Sequence, residues 1–164
     1  MQYDIAIIGG GLTGVAAARL AAERGFSVVH FAPAFAKDYR TSALMMPTVD
    51  FMLHAGLISD PHAFGTPLRK IRIIDATSRL LRAPEALFDS AEIEIEAFGY
   101  NFANCDLLDA FSQPSQHFDV KETMVEQIKQ ENGHYKISSQ DGTSVSATML
   151  VGADGKKSKV RDSL

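Results

Sequence analysis

Residues Ile7 to Gly14 read Ile-Ile-Gly-Gly-Gly-Leu-Thr-Gly. Glycines at 9, 11 and 14 have the spacing with which a strand–turn–helix unit binds the pyrophosphate of a dinucleotide. Gly9 would permit the tight turn, Gly11 the approach of a pyrophosphate, and Gly14 close packing of helix on strand. The free N–H groups of the helix start, at Leu12 and Thr13, and its positive dipole end would then hold the phosphates. The flanks fit this reading. Tyr3 to Ile8 is a mostly apolar run suited to a strand, and Val15 to Ala22 is an alanine-rich stretch suited to a helix.

The next part of such a site is altered. Phe26 to Phe31 reads as a second strand, whose end usually carries a carboxylate for the adenosine ribose hydroxyls. Ala32 stands at that place, followed by Pro33. Either another group or water serves the ribose, or dinucleotide affinity is weakened. A lost charge-assisted hydrogen bond costs about 1.5–3 kcal/mol.

A second constellation lies near the other end. Val151-Gly152-Ala153-Asp154-Gly155 is followed by Lys156-Lys157-Ser158-Lys159-Val160-Arg161. A strand ending in Asp-Gly ahead of a helix start can place Asp154, with the close backbone of Gly152 and Gly155, at a ligand. Read alone, Asp154 could equally cap that helix.

Composition narrows the alternatives. The chain has 164 residues, 46% of them hydrophobic, and a net charge of −4. That is enough for a core, and the acidic balance without a Lys/Arg cluster argues against a nucleic-acid partner. No apolar run approaches the ~18 residues needed to span a bilayer. The first residues lead into a strand rather than a signal peptide, and one cysteine, Cys105, forms no internal disulfide. The chain is therefore expected in the cytoplasm. Five histidines, at 30, 54, 62, 117 and 134, show no metal spacing; they read as ordinary core or surface residues, and no metal site is expected.

These residues need elements to hold them. Ala32 to Met46 reads as an irregular loop, and Val49 to Gly56 as a short amphipathic helix stopped by its glycine. Ile71-Arg72-Ile73 reads as a strand whose partner starts near Leu80-Leu81, and Ala91 to Phe98 as a half-buried strand. Asp106 to Phe111 reads as a helix. Asn132-Gly133 and Asp141-Gly142 mark tight turns. Glu122 to Lys129, His134 to Ser139 and Thr143 to Ala147 thus form a meander, expected on one face of the sheet. Met149 to Ala153 follows as a fully apolar, buried return strand.

With both glycine motifs present, the chain resembles the single-component FAD-dependent aromatic hydroxylases, the group of the para-hydroxybenzoate and ubiquinone-biosynthesis hydroxylases. Gly9, Gly11 and Gly14 match that family's first fingerprint. Gly152-Ala153-Asp154-Gly155 with Ser158, Val160 and Arg161 matches its second. Asp38-Tyr39-Arg40-Thr41-Ser42-Ala43-Leu44, Arg82-Ala83-Pro84-Glu85, Ala97-Phe98-Gly99-Tyr100 and Asn104 are similar to the ubiquinone branch. The resemblance implies an α/β, Rossmann-like FAD-binding fold: a parallel sheet, an inserted antiparallel β-meander and part of a second antiparallel sheet, to which residues 68–100 contribute.

It also implies a role. Arg40 would lie near the ribityl or phosphate portion of FAD, and Asn104, less firmly Asn101, would be polar flavin contacts. For each the residues leave a structural alternative open, a loop-closing arginine and a helix cap. NAD(P)H would be the electron donor and a small aromatic molecule the substrate. The family's third motif would lie beyond Leu164, so the chain reads as the N-terminal portion of a hydroxylase, with the uncovered sheet favouring self-association or a protein partner. No membrane anchor is encoded, though loose membrane association through partners is allowed. Two other readings remain: a non-catalytic Rossmann-like module with weak or lost FAD binding, and a plain NAD-linked dehydrogenase. The meander argues against the second, because simple dehydrogenases continue with βα units.

Overall fold

The computed structural model describes residues 1–34, 36–113 and 118–163. His117 lies outside them. The chain divides into two units, Met1–Asp38 with Leu107–Leu164, and Tyr39–Asp106.

The first unit opens with strand β1 (Gln2–Ile8), helix α1 (Leu12–Glu23) and strand β2 (Val28–Phe31). β1 pairs parallel with β2, Ile7 beside His30 and Ile8 beside Phe31. A parallel pair needs a crossover, and α1 supplies it. Alanines on α1 let it lie close: Ala18 and Ala22 are buried with Ile5, Ile7 and Val28.

The second unit contains strand β3 (Thr41–Met45), helices α2 (Met46–His54) and α3 (Pro61–Phe64), and strands β4 (Gly65–Pro67), β5 (Lys70–Ile73), β6 (Ala86–Asp89) and β7 (Gly99–Ala103). Helix α4 (Asn104–Phe111) begins at its end. β3, β7 and β4 form a three-stranded antiparallel sheet, and β5 with β6 a separate two-stranded one.

Back in the first unit follow β8 (Asp119–Lys121), β9 (Val125–Glu131), β10 (His134–Ser139), β11 (Ser144–Gly152) and helix α5 (Lys159–Asp162). The sheet order is β8-β2-β1-β11-β10-β9. β8, β2, β1 and β11 run parallel, while β10 and β9 turn back antiparallel. Tyr3, Ala6, Ile8, Val29, Phe31, Val125, Ile137, Val145, Ala147 and Val160 form a buried core cluster of this unit.

The α/β class with a parallel sheet and antiparallel additions is as the sequence predicts. Four local expectations are corrected. Thr41–Met45 is a strand, not loop, because its backbone pairs with Gly99–Ala103, far away in sequence. Ser90–Ile93 is a 3-10 turn rather than a strand. The Asp89 carboxylate accepts the Ala91 N–H, and Glu94 adopts φ 56°, which ends any extended run. The partner of β5 is Ala86–Asp89, not Leu80-Leu81: Asp75 closes the intervening loop through the N–H groups of Thr77 and Ala83, and Arg72 forks onto Glu85 at its base. Finally, the two stretches expected at 143–147 and 149–153 run together as one strand, β11 (Ser144–Gly152), with no breaker between them. It pairs with β10 on one edge and β1 on the other, so the meander extends the sheet instead of lying on its face. Nor is that strand fully buried, since Met149 is 56% exposed.

Candidate functional site

The glycine turn joins β1 to α1, and its shape follows from three contacts. The Gly9 N–H donates to the Phe31 carbonyl at 2.9 Å, which continues the β1–β2 ladder to its last rung. Gly9 has φ +127°, a region that disfavours any side chain. A Cβ there would also stand 2.1 Å from the Ala153 oxygen. A Cβ on Gly14 would meet the Gly9 oxygen at 1.9 Å. Both glycines are thus required by packing of the protein on itself.

Gly11 is different. Its backbone is ordinary and extended, φ −80° and ψ 176°, and apart from its immediate chain neighbours no described atom lies within 4 Å of where its Cβ would be. Nothing in the described chain requires a glycine there. As the N-cap of α1 it also offers no side chain to the first turn, and no side-chain cap hydrogen bond is made. The N–H groups of Leu12, Thr13 and Gly14 therefore begin a twelve-residue helix without a side-chain cap. Gly11 and Thr13 are exposed and Leu12 half-buried.

His30, read from sequence as an ordinary histidine, underlies this turn. The residue is 2% exposed, and Nε2 lies 2.9 Å from the Gly9 carbonyl oxygen. A carbonyl only accepts, so Nε2 carries the proton. Burial pulls the His30 pKa below its ordinary value, outweighing the opposing pull of the Gly9 carbonyl, which keeps the ring neutral. The sequence holds no signal for this contact beyond the residue type. The register that places His30 beside Ile7 creates it.

Ala32 follows β2, its N–H bonded to the Lys121 carbonyl at 3.0 Å. It lies against the turn, because a Cβ on Gly10 would be 3.3 Å from the Ala32 Cα and Cβ.

The second motif sits directly beside the first. Gly152 ends β11 opposite Ile8, and the Ala153 N–H donates to the Ile8 carbonyl at 2.7 Å. Asp154 Oδ1 accepts the Ser158 hydroxyl at 2.5 Å, and Oδ2 accepts the N–H groups of Lys159 at 2.7 Å and Val160 at 3.3 Å. Ser158 is the N-cap of α5, accepting from the Arg161 N–H. Partial burial pushes the Asp154 carboxyl up, but the bonds from Ser158 and the backbone together hold it below its ordinary value. The helix-capping reading of Asp154 is thus realised in the geometry. Gly155 makes the turn at φ +81°.

Gly9, Gly11, Leu12, Thr13, Gly14, Gly152, Asp154 and Gly155 belong to the first unit, Arg40 and Asn104 to the second. There, the Asn104 N–H donates to the Arg40 carbonyl at 2.9 Å, and Asn104 Oδ1 accepts the Ser42 hydroxyl at 2.6 Å. Asn101 lies mid-strand in β7. Among the described residues no cluster of three His, Cys, Asp or Glu side chains could hold a metal. None of their helices is long and apolar enough to cross a membrane.

The sequence profile of the FAD binding domain matches residues 2–164. The chain belongs to this family. Among curated proteins it is similar to the 3-demethoxyubiquinol 3-hydroxylase of Escherichia coli (strain K12), with 27% identity over 96% of this chain and 42% of the relative. The chain thus spans less than half the length of that protein. Solved structures of the same fold include p-nitrophenol 4-monooxygenase PnpA from Pseudomonas putida DLL-E4, with a TM-score of 0.77 and 19% identity over 99% of this chain and 43% of that one. The flavin-dependent monooxygenase PieE, solved with FAD and substrate, gives a TM-score of 0.74 and 17% identity over 99% and 32%. This chain therefore shares its fold with these two monooxygenases.

Proposed function

We propose that this chain is the FAD-binding portion of an NAD(P)H- and oxygen-dependent aromatic-ring hydroxylase of the ubiquinone-biosynthesis type. The observation that carries the reading is Gly11. Its neighbours in the fold leave open space where a side chain would stand, so a close ligand is what its missing Cβ fits.

In this reading the N–H groups of Gly11, Leu12, Thr13 and Gly14 hold the pyrophosphate, helped by the dipole of α1. Gly9 and Gly14 act indirectly, by letting turn, strand and helix close on one another. Asp154 orders the backbone from Gly152 to Gly155 through its bonds to α5, and so keeps that segment beside the turn. Arg40 and Asn104 enter through the family resemblance, as flavin contacts of the second unit. When bound, the flavin supplies the redox chemistry, and the protein binds and orients it.

The hydroxylase activity, the nicotinamide donor and an aromatic substrate belong to this proposal for a protein of the relatives' length. So does action in the cytoplasm. Self-association or a protein partner is part of it too, supported by exposed Ile73, Leu81, Leu87 and Phe88 in the second unit. One observation favours a weaker form of the reading: Ala32 offers no carboxylate to the ribose. A scaffold module with little flavin affinity is the alternative.

Titration of the chain with FAD, followed by quenching of flavin fluorescence with NAD as the control, tests the choice. Saturable binding of FAD in preference to NAD supports the proposal. Absence of binding at tens of micromolar favours the scaffold.

A further inference from the structure

Burying an imidazole has a cost that a leucine at the same place would avoid. His30 nevertheless sits on β2 directly beneath the glycine turn, between Ile7 of β1 and the ring of Phe118, whose centroid is 6.1 Å away. Among the described residues its single polar contact is Nε2 to the Gly9 oxygen at 2.9 Å. That oxygen also lies against Gly14, where even a methyl group would stand 1.9 Å away. The carbonyl is therefore fixed from two sides, by a hydrogen bond and by the start of α1.

The consequence falls on the next amide. All peptides in the described chain are trans. In a trans peptide the carbonyl and the following N–H point in opposite directions. A Gly9 carbonyl held toward His30 turns the Gly10 N–H away from the His30 ring.

We propose that His30 is a positioning residue of the dinucleotide turn: through Nε2–H it anchors the Gly9 carbonyl and thereby presents the Gly10 N–H to the ligand. Its consequence for binding rests on the FAD reading above. The anchoring itself does not. A glycine-rich turn has many accessible backbone conformations, and fixing one peptide plane before the ligand arrives lowers the entropy lost on binding. The ring must be neutral and protonated at Nε2 to do this, in keeping with the downward pull of burial on its pKa.

The test compares the wild-type chain with His30→Leu and His30→Gln. FAD titration and thermal melting are followed for all three, with 15N NMR of the His30 ring and of the Gly10 amide. Expected are an Nε2–H ring in the wild type, a displaced Gly10 amide signal in His30→Leu, and FAD binding weakened about five- to tenfold, the scale of one neutral hydrogen bond. His30→Gln, whose side-chain N–H has a similar reach, recovers most of the affinity. A purely packing role would be served by leucine and would show no rescue by glutamine. A wild-type ring protonated only at Nδ1, or a folded His30→Leu that binds FAD like the wild type, overturns the proposal. If the wild type binds no FAD, the flavin reading fails separately. The Gly10 signal then decides the anchoring: displaced in His30→Leu it stands, unmoved it is wrong. If His30→Leu does not fold, the wild-type ring and His30→Gln decide in the same way.

Discussion

Gly9 lies so close beneath Ala153 that a side chain on it would stand 2.1 Å from the Ala153 carbonyl oxygen. The two glycine-containing motifs are thus one packed junction, although more than a hundred residues separate them. Neither the Ala153 backbone nor a φ of +127° can yield cheaply. Gly9→Ala should therefore lose on the order of 3 kcal/mol or more of stability, or fail to fold. Urea denaturation checks this.

Gly11→Ala should do the opposite. Its backbone conformation suits alanine and the space is open. Stability should change by less than about 1 kcal/mol, because the restriction that alanine places on the unfolded chain is offset by its poorer fit at a helix N-cap. FAD affinity should nevertheless fall at least tenfold. A folded Gly11→Ala with wild-type affinity would remove the main support for a ligand at this turn.

Ala32→Glu should strengthen FAD binding. Ala32 is half-buried beside the turn, at the end of β2. A carboxylate there would accept from the ribose hydroxyls, and a charge-assisted bond of about 1.5–3 kcal/mol corresponds to a gain of tenfold or more. Unchanged affinity in the fluorescence titration would mean that the ribose lies elsewhere or is already served.

What was legible in the sequence follows the range of the interactions. The turn at Gly9–Gly14, helix α1 and the hairpin at Asn132-Gly133 rest on local rules. Asn132 and Gly133 indeed both adopt positive φ. Strand β3 was not legible, since its pattern is weak and its pairing partner lies some sixty residues later. Alternation at Ile93 and Ile95 misled, because the turn at Glu94 leaves both side chains exposed. At the candidate site, residue types marked the glycines and Asp154. The anchoring contact of His30 depends on strand register, which no short motif encodes.

Tyr3 should titrate abnormally. Its hydroxyl donates to Asp119 Oδ2 on edge strand β8, and burial, with that carboxylate, pushes its pKa from 10.0 up to about 12. A raised folded value means that the contribution is complete below 10 and fades as pH rises through about 12. Tyr3→Phe should cost about 1.5–3 kcal/mol at neutral pH, the scale of a hydrogen bond to a charged group. Burial also raises the Tyr100 pKa, so ultraviolet titration should show two tyrosines ionising late in the wild type and one fewer in the variant.

Asp154 should carry acid sensitivity of the second motif. Its carboxylate takes the Ser158 hydroxyl and two N–H groups at the start of α5, and its folded pKa lies below the ordinary 3.8. A lowered folded value contributes stability in full above 3.8, which is lost as pH falls through the folded value. Asp154→Ala should cost about 1–2 kcal/mol at neutral pH, as loss of a helix cap does. The variant should also lose part of the wild type's decline in stability below pH 4, so the two curves converge toward pH 2. Parallel denaturation curves for the two proteins across that range would show that the Asp154 carboxylate gains nothing from α5.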